Sequence, residues 1–91
     1  MIVITIRTES KTSDGGIESS IRTALMVEEG RKYLHLIWPD SGGIRIRKVP
    51  REFKYTELPD YPIAKAKKTL RLCGRKFGIT KAAKKALRVT A

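Results

Sequence analysis

Ten cationic side chains between positions 61 and 91, seven lysines and three arginines, have one evident chemical use, which is to hold anions. No Asp or Glu falls in that stretch, so it carries +10 of the chain's formal charge of +11. Residues 1–60 nearly balance, with ten basic and nine acidic side chains. Like charge crowded into one third of a chain opposes compaction unless an anionic partner offsets the repulsion. The plainer alternative is a solvated basic segment without a specific ligand.

The spacing predicts two helices that carry these charges. Pro62, after "LPD" and Tyr61, suits the first turn of a helix. Ile63, Ala66, Leu70, Cys73 and Phe77 then recur at helical intervals and predict one apolar stripe. Lys67, Lys68, Arg71 and Arg75 fall opposite it, with Lys65 and Lys76 flanking and Leu72 exposed among the charges. Gly78 suits a left-handed helix stop, and Thr80 suits the N-cap of a second helix. In that helix Ala82, Ala83, Ala86 and Leu87 continue a face begun by Ile79, while Lys81, Lys84, Lys85 and Arg88 occupy the other.

The stretch "GRKFGITKAAKKALRV" (74–89) resembles a helix-turn-helix in its bend at Gly78, in Phe77 and Ile79 beside the bend, and in Leu87 near its end. It departs from that motif where Lys84 replaces the aliphatic residue normally buried within the recognition helix. The chain also contains no Asn or Gln, two of the common readers of base edges. Lysine excess suits point-charge contacts to phosphate better than planar recognition. Backbone gripping is therefore favoured over sequence reading.

The first sixty residues must supply the scaffold. Ile2, Ile4 and Ile6 alternate with Val3, Thr5 and Arg7, a strand pattern. "TESKTSDGG" (8–16) reads as a loop. Residues 17–28 fit either helix or strand. Strand is favoured from about Arg22 to Glu28, because "EEGR" makes a plausible turn into "KYLHLIW". With residues 39–43 as the next turn, Trp38 faces Ile44, Leu36 faces Ile46 and His35 faces Arg47. Leu34, Leu36, Trp38, Ile44 and Ile46 then form the core side. Tyr33, His35, Arg45 and Arg47 share the other, where aromatic and basic groups together could stack bases and hold phosphates. Pro50 closes that strand and "EFKYTEL" supplies another. The expected class is α+β, a single domain over residues 1–91. An N-terminal antiparallel β-meander or small SH3-like half-barrel (1–60) is followed by two basic C-terminal helices (61–91).

Other chemistries find little support. The chain has no G-x-x-x-x-G-K loop, no G-x-S-x-G and no clustered carboxylates, so no enzyme is expected. One histidine and one cysteine do not make a metal site, and no cofactor is expected. Cys73 forbids an internal disulfide and fits a reducing cytoplasm. No apolar run approaches the roughly 18 residues of a membrane span, and the N-terminus reads as a strand and not a signal peptide.

The layout "KYLHLIWPDSGGIRIRKVP" followed by "AKKTLRLCGRKFGITKAAKKAL" resembles small uncharacterised basic proteins encoded by bacteriophages, over residues 22–88. The resemblance implies a bacterial cytoplasm and a role in phage DNA metabolism, gene control or interference with a host protein. It assigns no functional residue. The expected partner is DNA or RNA. The alternative is an acidic surface of a host protein, with Leu72 as an apolar anchor.

Overall fold

In the computed structural model, which describes residues 1–88, β-branched alternation and polar turns give five antiparallel strands followed by two helices. The strands are β1 (Ile2–Lys11), β2 (Ile17–Glu29), β3 (Tyr33–Ile37), β4 (Arg47–Pro50) and β5 (Tyr55–Glu57). The helices are α1 (Ile63–Phe77) and α2 (Lys81–Arg88); Val89, the last residue of the helix-turn-helix-like stretch, lies outside the described residues. The sheet order is β4-β3-β2-β1-β5, a meander of four strands with β5 returning beside β1.

That order forces the sheet to curl. Laid flat, β4 and β5 would lie four strand spacings apart, about 19 Å. The five steps from Pro50 to Tyr55 reach about 18 Å only when fully extended, and this link contains a turn in which the Phe53 amide donates to the Pro50 carbonyl at 2.9 Å. The sheet therefore wraps, without closing, around a core of its own. Ile4, Ile6, Ala24, Met26, Leu34, Leu36 and Trp38 form a buried cluster that includes no helical residue. On the other face Val3, Leu25, Ile37 and Ile44 pack with Ala66, Leu70, Ala83 and Leu87 of the helices. Alternate residues of β1, β2 and β3 thus enter different cores, and both faces of the sheet are used.

Several sequence expectations need correction. The stretch expected as a loop over 8–16 is strand in its first four residues. β1 runs to Lys11 and pairs with Ile17, leaving a tight turn at 12–16. There Asp14 accepts from the Thr12 hydroxyl and the Gly16 amide, bonds that hold its carboxyl below the ordinary carboxylate value. β2 is strand, as favoured, but begins at Ile17. The β3–β4 register differs by one residue: His35 pairs with Lys48 and Leu36 with Arg47. A one-residue shift exchanges the two faces of a strand. Arg47 consequently leaves the face of Tyr33 and His35, and Lys48 takes its place. Arg45 lies outside the strands altogether, and Ile44 and Ile46 join the helix-side core and not that of Leu36.

The helices are seated through their connecting turn. Thr80 caps α2 as expected: its hydroxyl accepts from the Ala83 amide at 3.2 Å and its carbonyl from the Lys84 amide at 2.9 Å. Ile44 then clamps the turn from the sheet side. Its amide donates to Gly78 O at 2.9 Å, and its carbonyl accepts from the Thr80 amide at 3.0 Å. Gly78 ends α1 at φ 97°, ψ 155°, which is not the left-handed helical stop expected but an extended positive-φ conformation. That region is essentially restricted to glycine. Gly78→Ala should therefore lower stability by about 1–3 kcal/mol in a denaturant titration; an unchanged midpoint would mean that the turn relaxes freely.

Candidate nucleic-acid interface

The two helices each present a pair of cations at i, i+4 spacing, which places them on one helix face. Arg71 and Arg75 of α1 line a groove of about 430 Å³ together with Lys84 and Arg88 of α2. Gly74, Ile79 and Leu87 also line it. Gly74 sets how closely the elements approach, since a Cβ at that position would lie 3.0 Å from Ile79 Cβ. At one end the Arg71 guanidinium donates to the Leu87 carbonyl at 2.7 Å. This contact caps the last turn of α2 with a cation, a placement the helix dipole favours. Guanidinium has five N–H donors, so the bond leaves others for a ligand.

The remaining predicted residues are distributed differently. Lys68, Lys81 and Lys85 are exposed on the helices but do not line the groove. Lys65 is exposed, with its ammonium 5.5 Å from the Tyr61 ring centroid. Lys76 is likewise exposed beside Phe77. Lys67 corrects the sequence reading: it is buried at 9% exposure on the inner side of α1, not on the solvent face. Position 67 stands four residues after Ile63 and three before Leu70, so it belongs to the stripe that the sheet covers.

Phe77 makes the opposite departure. Expected in the apolar stripe, it is 42% exposed. Ala82, placed on the inner face by sequence, is also exposed. Leu72 is exposed as expected, and Cys73 is half-buried against the helix-side core, also as expected.

On the sheet, Tyr33 and His35 still share a face, with Lys48 and Glu28 paired to His35. Arg47 is engaged in the fold, ion-paired with Asp40 and stacked 4.6 Å from the Trp38 ring centroid. The sheet face therefore loses both expected arginines and keeps one cation, Lys48, beside Tyr33 and His35.

No protein-family model, curated protein or solved structure matches this chain.

The groove's chemistry can be read from its lining alone. Four cations line it, and among the described residues no carboxylate does. Charges held apart by folded helices repel one another, and an anion inserted among them relieves that repulsion while accepting several charge-assisted hydrogen bonds. Among the described residues no group of three or more His, Cys, Asp or Glu forms a metal-holding cluster, and no helix is long and apolar enough to cross a membrane.

Proposed function

We propose that this protein is a non-catalytic nucleic-acid-binding protein that grips phosphates between α1 and α2. One observation carries the reading: i, i+4 cation pairs from two helices converge on a single groove, on a turn clamped to the sheet at Ile44. A phosphodiester backbone supplies anions in a row, which suits such a groove better than a lone ion would. The grip is directed at the backbone in preference to base edges, because exposed cations continue beyond the groove along both helices and the chain has no Asn or Gln to read adenine. The exposed lysines outside the groove extend the same field over neighbouring phosphates. The half-buried free thiol of Cys73 fits a reducing cytoplasm, and the phage resemblance would place it in a bacterial host.

The test is a fluorescence-anisotropy titration at several salt concentrations. Four phosphate contacts predict log K falling against log salt with a slope of about −3 to −4. Absence of binding at low salt, or a slope near zero, would remove this reading.

A second reading rests on Leu72, 53% exposed beside Arg71 and Arg75, as an apolar anchor for an acidic protein surface. Capture from nuclease-treated bacterial lysate separates the two. A stoichiometric protein partner that survives nuclease favours the second reading, and loss of bound material favours the first.

A further inference from the structure

The groove does not end at Ile79. That residue also lines a second hollow of about 340 Å³, on the far side of the α1–α2 turn. Its walls are Phe77 with Gly78 and Thr80 on one side, and the Gly43–Arg45 segment on the other. The hollow is shallow and open, so it suits a group held by one face and not an enclosed ligand.

Three features of this hollow point to one kind of occupant. Phe77 is a large aromatic side chain left exposed, although its helical position would have permitted burial. Its ring therefore offers part of its π-surface to solvent, with the Lys76 ammonium over the ring at 5.4 Å from the centroid. Arg45 stands exposed in the same lining, so the hollow lies in a positive field. On the opposite wall Gly42 and Gly43 carry no side chain, and Gly43 sits at φ 109°, a conformation that L side chains rarely adopt. Among the described residues the lining contains no carboxylate.

A flat, uncharged, π-faced group joined to an anionic chain satisfies all three, and a nucleobase on its phosphodiester backbone is such a group. We propose that this hollow is a nucleobase subsite in which Phe77 stacks an unpaired base, while the phosphates of the same single strand run through the adjoining groove. The proposal rests on the phosphate-gripping reading above and specifies its ligand. Bases in a duplex are already paired and stacked, so they cannot enter, and the preferred partner is single-stranded. Stacking on an aromatic ring tolerates any base, which agrees with a groove directed at the backbone.

The decisive probe is an oligothymidylate compared with an abasic phosphodiester chain of equal length, each titrated at low salt. The phosphates are the same in both, so the groove contributes equally. Wild-type protein should prefer the oligothymidylate by about tenfold. Phe77→Leu, which keeps an apolar side chain but loses the π-face, should bring the two affinities together. Phe77→Trp should keep the preference. Circular dichroism should show all three proteins folded, because position 77 is exposed.

Equal binding of both probes by the wild type, or a preference that persists in Phe77→Leu, overturns the base subsite and leaves the phosphate groove standing. Failure to bind either probe overturns the groove itself, and the subsite with it.

Discussion

Replacing Arg75 and Lys84 together by glutamate is expected to lower the affinity for a single strand at about 0.1 M salt by at least ~25-fold. Each phosphate contact on a single strand adds about 0.7 to the salt slope, which amounts to roughly fivefold in affinity at 0.1 M relative to 1 M; losing two gives the product. Reversal goes further than removal, because a carboxylate in the groove also repels the phosphate. The pair takes one cation from each helix, so it tests the convergence of α1 and α2 and not the charge of either alone. Arg71 would be a poorer probe because its guanidinium holds the Leu87 carbonyl.

The melting temperature of the double variant should be unchanged or higher, since each new carboxylate stands beside Arg71 or Arg88 and relieves like-charge repulsion. Arg47→Ala is the matched control. It removes a cation that serves Asp40 and Trp38, so it should cost stability without changing the salt slope. An affinity for the double variant within about threefold of wild type would show that the phosphates bind elsewhere.

Much of this site was legible in the sequence, for a physical reason. Amphipathic periodicity and total absence of acid report directly on how a helix partitions its faces, so α1, α2, the Thr80 cap and the exposed Leu72 all emerge from local rules. Lys67 is misleading because its charge signals exposure, whereas its angular position between Ile63 and Leu70 puts it inside the stripe. Phe77 escaped because periodicity describes a helix and not where its covering sheet ends.

The sheet was less legible. The β3–β4 register depended on the length of the connection after β3, and that connection is fixed by a long-range event: Ile44 pairs with Ile79 at the helix turn and with no strand of the sheet. The distal part of the β1–β2 hairpin is hidden by composition, since Thr8 and Ser10 lie in a polar stretch that reads as loop, and Ser19 and Ser20 in one that fits helix as well as strand. In the folded chain the Thr8 and Ser20 hydroxyls bond across the strands at 3.1 Å, and Arg22 donates to Thr8 at 3.2 Å. Convergence of the groove cations needed the packing of Gly74 on Ile79, which no single helix encodes.

Leu87→Ala is expected to cost about 2–5 kcal/mol, the range for truncating a fully buried leucine. For a chain of 91 residues, total stability on the scale of roughly 0.05–0.15 kcal/mol per residue is only about 5–14 kcal/mol. Leu87 is 1% exposed and, with Ala83, is one of the two fully buried side chains of α2. An eight-residue helix has little stability of its own, so α2 depends on this anchor, on Thr80 and on the clamp at Ile44. The loss should appear as a fall of about 1–3 M in the urea midpoint.

The substitution also discriminates local from global failure. Lys84 and Arg88 ride on α2, so loosening that helix should weaken nucleic-acid binding under conditions where the sheet remains folded. Leu36→Ala, in the core that the sheet builds without the helices, should cost similar stability yet leave the affinity of the folded fraction intact. Amide hydrogen exchange in the two variants would read the difference. Residues 81–88 should lose protection selectively in Leu87→Ala, whereas β1–β3 should lose it together with the helices in Leu36→Ala. Uniform loss of protection in both variants would show that α2 and the sheet unfold as one unit, and that the groove is no less stable than its scaffold.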